Sequence, residues 1–227
     1  MKVLAIDTAT EQCSAALIAD ERWWERAAQT ARGHAEMILP MVDELLAESG
    51  LRLCDLDGVA FGRGPGSFTG VRIGVSVAQG LALSCDLSVV GVSDLAAVAR
   101  QTARAHSLAV GAEILVCMDA RMQEVYWGRY RVERQDGVKL LGEERVSAPD
   151  EVPVDAAMLA CGAGAGWAAY PALRNRYPAL AVDAQRLPHA RDVAQLALSM
   201  FAAGAGMRAR DAAPVYLRDD VAQAPSR

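Results

Sequence analysis

The sequence predicts a duplicated α/β architecture, and two observations carry that prediction. An apolar strand ending in an acid, a polar turn and a second strand occur twice, as VLAIDTATEQCSAAL from Val3 and as ILVCMDARMQEVYWG from Ile114. Between the two copies a strand feeds a glycine-rich loop and then a helix, the order of an α/β unit.

The elements follow in order. Lys2 to Asp7 reads as a strand, Thr8 to Gln12 as a polar turn and Cys13 to Ala19 as a second strand. Asp20 and Glu21 then turn tightly into a third strand, Arg22 to Gln29, which makes an antiparallel meander. Ile38, Met41, Val42, Leu45 and Leu46 recur at helical spacing from His34 to Glu48, with Gly50 as a stop and Pro40 predicting a kink or a late start. Leu56 to Phe61 is a buried strand, Thr69 to Ser84 a helix, Leu87 to Val92 a strand, and Ser93 caps a helix through Arg104. A first domain over residues 1–108 is expected to carry the two helices that follow the meander and the glycine loop.

The second domain, residues 109–227, holds the strands Gly111 to Met118 and Glu124 to Val132. A further strand, Met158 to Cys161, leads into Gly162, Gly164 and Gly166, which read as a flexible connection. His189 to Ala203 is a helix by its Val193, Leu196, Ala197 and Met200 spacing, free to pack back on the first domain and stopped by Gly204 to Gly206. The tail after Arg218 is expected to be loose.

Composition narrows the function. The 227 residues, 52% of them hydrophobic, suffice for one large domain or two small ones. A net charge of −5 and a pI near 5.3 argue against a chain that holds nucleic acid unaided, so an RNA role needs a basic partner. Only Lys2 and Lys139 are lysines and no GK[ST] occurs, which excludes a Walker A loop. No apolar run approaches the roughly 20 residues of a membrane span, and Asp7 interrupts the N-terminal stretch, so a cytoplasmic, non-membrane protein is expected. The five cysteines are odd in number, widely spaced and set among apolar neighbours, and are expected to be buried free thiols. His34, His106 and His189 form no HxxxH pair, so no metal site is expected.

Gly66, Gly70, Gly74, Ala78 and Ala82 recur at every fourth position and line one ridge of a helix, where a second backbone can approach. That ridge either packs on the chain's own sheet or docks a partner. The loop before it could offer backbone N–H groups to an anion, with Asp7, Thr8, Gly64, Gly66 and Ser67 as candidate nucleotide or phosphate contacts. Equally, its glycines and Pro65 could serve only a tight turn, with Ser67 or Thr69 as cap. Asp7 and Asp119 end strands where open α/β sheets present ligand-contacting groups, and two acids facing one cleft could hold magnesium or act as a base. Each could instead cap its own turn, Asp119 pairing with Arg121. No GxSxG elbow accompanies the serines, and Trp23, Trp24 and Trp127 read as strand packing rather than a base-stacking platform.

Five stretches in order carry a family resemblance: AIDTAT at Ala5, RGHAEMILP at Arg32, GRGPGSFTGVRIG at Gly62, DARMQEVYWG at Asp119 and PVYLR at Pro214. Through them the chain resembles the TsaB family, within the wider TsaD/glycoprotease-like group. The resemblance implies two related α/β domains of the actin, Hsp70 and sugar-kinase type with a cleft between them. It also implies a non-catalytic scaffold of the machinery that makes threonylcarbamoyladenosine in tRNA. Such a scaffold pairs with TsaD through two helices, with TsaE joining as an ATPase and tRNA met only through the complex. Mapped here, the interface is His34, Ile38, Met41, Leu45, Gly70, Val71, Gly74, Val75 and Ala78. Homodimerisation through the same helices is an alternative state of the isolated chain.

No cofactor of its own is implied, although ATP or ADP could sit at the shared interface. TsaD carries an HxxxH metal pair after the strand that follows its glycine loop, and here Asp94 and Val98 stand at those places. The competing reading is an enzyme of the same fold, an ATP-dependent phosphotransferase or a metalloprotease-like relative. Charging the ridge, as in Gly74→Glu or Ala78→Glu, is expected to abolish pairing and leave the fold intact.

Overall fold

A computed structural model describes residues 1–134, 137–153 and 158–218. The first sheet grows from β1 (Lys2–Asp7), whose Val3, Leu4, Ala5 and Ile6 are all buried. A strand buried on both faces needs a layer on each side. Val3 and Ala5 face one layer, and Leu4 and Ile6 the other.

β2 (Gln12–Ala19) and β3 (Arg22–Gln29) complete the meander across Asp20 and Glu21, both at positive φ as a tight hairpin turn requires. α1 (His34–Ser49) starts at His34 with Pro40 inside it, so its start is not late. It ends where Gly50 takes φ 71° and Leu51 N–H returns to the Leu46 carbonyl. A 3-10 turn, Leu53–Asp55, delays the next strand, and β4 is Gly58–Gly62. α2 (Phe68–Ser84), β5 (Ser88–Val92) and α3 (Asp94–Ala105) follow, with Ser67 and Ser93 as N-caps.

The second sheet contains β6 (Glu113–Asp119), β7 (Val125–Val132), β8 (Val138–Ser147), β9 (Leu159–Ala163) and, after the short helices α4 (Gly166–Ala169) and α5 (Pro171–Asn175), β10 (Val182–Asp183). α6 (Ala190–Ala202) and β11 (Met207–Arg208) return to the first sheet.

The duplication is visible in strand order. The first sheet runs β11-β5-β4-β1-β2-β3 and the second β10-β9-β6-β7-β8. Leaving aside β11, each sheet has two parallel strands on one side of its first strand and an antiparallel pair on the other. Layers alternate accordingly: α1 and α2 pack on one face of the first sheet and α6 on the other. α3 lies against the second sheet, whose far face is covered by the segment carrying Trp167, Leu173 and Tyr177.

Two expectations fail, and one strand escapes the sequence pattern. Cys54 and Cys85 are joined by a disulfide, with Cα atoms 5.1 Å apart, and only Cys13, Cys117 and Cys161 are buried free thiols. Cys54 lies on an exposed 3-10 turn and Cys85 at the end of α2, so apolar neighbours in sequence did not bury them. Gly162 to Gly166 is no flexible connection: Gly164, at φ 101°, and Gly166 press against the Cys117 backbone, where a Cβ would come within 3.0 Å. The strand that leaves no clear sequence signal is β8, whose KLLGEERVS run on a sheet edge alternates poorly. The tail beyond Arg218 lies outside the described residues.

Candidate functional site, a cleft between the two sheets

The β1–β2 turn is pushed into the start of α2. Thr8 Oγ1 donates to the Gly70 carbonyl at 2.7 Å, and Ser67 N–H donates to the Ala9 carbonyl at 2.7 Å. Ser67 Oγ accepts from Gly70 N–H, and Gly64 N–H donates to Asp94 Oδ2 at 2.5 Å. These donors could have cradled an anion, but the chain itself takes them. The small ridge is what permits this approach. A Cβ on Gly66 or Gly70 would fall within 3.0 Å of the Ala9 or Thr8 carbonyl oxygen, and on Gly74 2.9 Å from Thr8 Oγ1.

The ridge therefore faces inward. Gly70, Val71, Gly74, Val75 and Ala78 are buried against the first sheet, as are Ile38 and Leu45 of α1. These seven expected interface positions are closed off by the chain's own core, which corrects the assignment. His34 and Met41 stay half-buried, and His34 Nε2 lies 2.7 Å from the Thr10 carbonyl. The outward side of the helix pair holds Leu39 on α1, 46% exposed, and Ile73, Gly80 and Leu83 on α2, with Leu83 63% exposed.

Asp7 and Asp119 do not share the cleft. Asp7 lies behind its wall, 1% exposed, and meets Asp94, the first residue of α3, which is fully buried. Asp7 Oδ1 accepts from Ala9 N–H at 3.0 Å. Its Oδ2 and Asp94 Oδ1 have no other partner and converge on Gly62, which has no Cβ to separate them. Burial disfavours charge on both groups and the Asp7 charge adds to this at Asp94, so Asp94 is held well above the usual carboxylate range. Of the two carboxyls, Asp94 is the one whose proton is held more strongly.

Because Asp94 keeps its proton in the folded chain to higher pH than in the unfolded one, it contributes stability below its ordinary pKa of 3.8 that is lost as pH rises through the folded value. Asp94→Asn keeps an acceptor for Gly64 and a donor for Asp7 without titrating. Thermal unfolding from about pH 4 upward should therefore show a flatter alkaline decline in Asp94→Asn than in the wild type. Parallel curves would contradict the raised pKa of Asp94.

The cleft is a cavity of about 650 Å³ between the β1–β2 turn and glycine loop on one side and the β6–β7 turn on the other. Asp119 borders it but is fully engaged: Oδ1 accepts from Arg121 N–H at 2.8 Å and Tyr170 Oη at 2.7 Å, and Oδ2 pairs with Arg121 at 2.9 Å. Of the candidate phosphate contacts, only Gly66 and Ser67 reach the cavity; Asp7, Thr8 and Gly64 do not. Among the described residues, no group of three His, Cys, Asp or Glu side chains gathers as a metal site.

The C-terminal stretch Pro214 to Arg218 straps both sides of the cleft together, a role its sequence did not disclose. Val215 N–H donates to the Arg63 carbonyl at 2.7 Å. Tyr216 packs 5.8 Å from Phe68, and its hydroxyl accepts from Arg72 Nε at 2.7 Å. Across the cleft, Arg218 donates to the Ala120 carbonyl at 3.1 Å and pairs with Glu124. Glu144 of β8 also bridges the halves, accepting from Ser93 and Tyr130. Only the place of PVYLR among the five family stretches hinted at the strap.

One sheet order used twice around a cleft defines an α/β protein of the actin, Hsp70 and sugar-kinase class. The family model described as "TsaD: tRNA N6-adenosine threonylcarbamoyltransferase" matches residues 27–225. The chain is 42% identical to the tRNA threonylcarbamoyladenosine biosynthesis protein TsaB of Escherichia coli K12, over 98% of this chain and 96% of that one. It is 37% identical to the Haemophilus influenzae TsaB over 97% and 95%. The solved structure of YeaZ from Pseudomonas aeruginosa superposes with a TM-score of 0.87 at 44% identity, covering 95% of this chain and 99% of that one. The chain belongs to the TsaB family of tRNA threonylcarbamoyladenosine biosynthesis proteins.

Proposed function

We propose that this chain is the non-catalytic scaffold and dimerisation subunit of the complex that forms threonylcarbamoyladenosine in tRNA. It docks and supports TsaD, which transfers threonylcarbamoyl from threonylcarbamoyl-AMP to the adenosine beside the anticodon. TsaE joins as the ATPase, and tRNA is met only through the assembled complex, in the cytoplasm. When alone, the chain pairs with a second copy through the same helices.

The observation that carries this reading is the state of the acids. Asp7 is sealed against Asp94, and Asp119 is held by Arg121 and Tyr170, so neither is placed to activate a nucleophile. This counts against the phosphotransferase and metalloprotease-like alternatives. The cavity's arginines are also engaged, Arg121 with Asp119 and Arg218 with Glu124. On this reading the chain needs no cofactor of its own, and any ATP or ADP sits at the interface between subunits.

Docking uses the outward side of α1 and α2, where Leu39 and Leu83 are exposed. The double variant Leu39→Glu/Leu83→Glu should keep its fold, with Tm shifted by no more than about 2 °C. Its affinity for co-expressed TsaD should fall by about tenfold or more. Undiminished co-purification would overturn the assignment of this face.

A further inference from the structure

Cys54 and Cys85 are the two cysteines that lie outside the buried core, and they are bonded to each other across a separation of 31 residues. Cys54 is exposed on the Leu53–Asp55 turn that follows α1; Cys85 caps the last turn of α2, where its N–H donates to the Ala82 carbonyl at 3.3 Å. Burial raises the remaining three thiols, Cys13 to about 11, so the thiolate chemistry of the native chain is concentrated at the Cys54–Cys85 pair.

We propose that Cys54 and Cys85 form a reversible thiol–disulfide exchange site for low-molecular-weight thiols, and that its bonded state locks the end of α2 to the segment leaving α1. Cys54 is exposed and Cys85 half-buried, so the bond is open to an incoming thiolate from the Cys54 side, whereas a buried structural disulfide is shielded. The thiolate attacks Cys54 Sγ, forming a mixed disulfide as the Sγ–Sγ bond breaks and Cys85 leaves as a thiolate, with the Ser84 hydroxyl 3.8 Å from its sulfur. A second thiol attacks the mixed disulfide and releases Cys54. Overall two thiols are oxidised to one disulfide and the protein pair takes up two electrons and two protons. Oxidation by a small disulfide such as oxidised glutathione runs the same steps in reverse.

The bond closes a loop that contains the glycine turn and the whole of α2, so opening it frees the α2 end next to exposed Leu83. The coupling to partner binding rests on the docking face proposed above; the exchange itself does not. The full-length chain is equilibrated in glutathione buffers of graded reduced-to-oxidised ratio, trapped with N-ethylmaleimide and mapped by mass spectrometry, with Tm measured in parallel.

Cys54 and Cys85 should gain and lose label together in the native chain, with Cys13, Cys117 and Cys161 labelled only after denaturation, and the dithiol form should melt about 10 °C lower. The Cys54→Ser/Cys85→Ser variant should show the lower Tm at every ratio. Label on both residues in even the most oxidising buffer, or a bond that opens only on denaturation, overturns the exchange site. In the TsaD capture assay the bonded form should bind about threefold more tightly than the dithiol form. Equal capture by the two forms overturns the coupling. No capture by either, with exchange intact, instead defeats the docking reading and leaves the exchange site standing.

Discussion

Gly70→Ala should destabilise the fold by about 3 kcal/mol, although alanine is the better helix former by about 1 kcal/mol. Gly70 lies in the first turn of α2, and its missing Cβ is replaced by the Thr8 carbonyl oxygen, which a methyl group would approach well inside 3.0 Å. The obstacle is backbone, so no side-chain rotation can relieve it. Moving Thr8 away would also break its 2.7 Å hydroxyl bond to Gly70 and strain the Ser67 N–H bond to Ala9.

Gly80, on the outward side of the same helix, is the control. A Cβ there meets nothing within 4 Å, so Gly80→Ala should stabilise by about 0.5 to 1 kcal/mol. Chemical denaturation of both variants gives the comparison, and equal effects at the two positions would contradict the inward ridge. The same geometry reverses the expectation for Gly74→Glu and Ala78→Glu: with Ala78 fully buried, a glutamate there unfolds the chain rather than sparing it.

Asp192→Ala should cost about 3 to 5 kcal/mol. Asp192 sits fully buried in the first turn of α6, where it pairs with buried Arg100 of α3 and lies 3.4 Å from Arg104. Removing the carboxylate takes the Asp192 charge away from a buried guanidinium, and the helix N-terminus loses a favourable anion. The α3–α6 contact joins the layer over the first sheet to the one over the second, so cooperativity should suffer with stability. Replacing both partners, as in Arg100→Met/Asp192→Leu, should recover much of the loss, because the buried ion pair is exchanged for apolar packing. A single variant that unfolds with wild-type midpoint would show that the pair contributes nothing.

Strong local patterns were readable from residues alone. The meander, the capping roles of Ser67 and Ser93, and the Asp119–Arg121 contact all depend on neighbours within a few positions. The direction of the small ridge was not readable, because a glycine every fourth residue permits close approach without naming what approaches. Only the fold brings the Thr8 carbonyl there. Likewise Asp7 meets Asp94 across 87 positions, and Cys54 meets Cys85 across 31, distances over which no periodicity reports. In sequence Asp94 marks only the absence of a metal-binding histidine, and nothing near it names its buried partner. The strap from Pro214 to Arg218 has no helical or strand pattern at all, and its role follows from hydrogen bonds to both sides of the cleft.

The central claim is that this chain acts by assembly and not by its own chemistry. Its most direct test is mass spectrometry of tRNA nucleosides from cells carrying Asp7→Asn or Leu39→Glu/Leu83→Glu in place of the wild-type chain, with recovery of the TsaD complex measured in the same cells. Asp7→Asn, which keeps the Ala9 hydrogen bond and a partner for Asp94, should leave both the complex and the threonylcarbamoyladenosine level unchanged. The charged helix face should lose both together. Loss of the modified nucleoside in Asp7→Asn with the complex intact would assign chemistry to this chain and contradict the scaffold account.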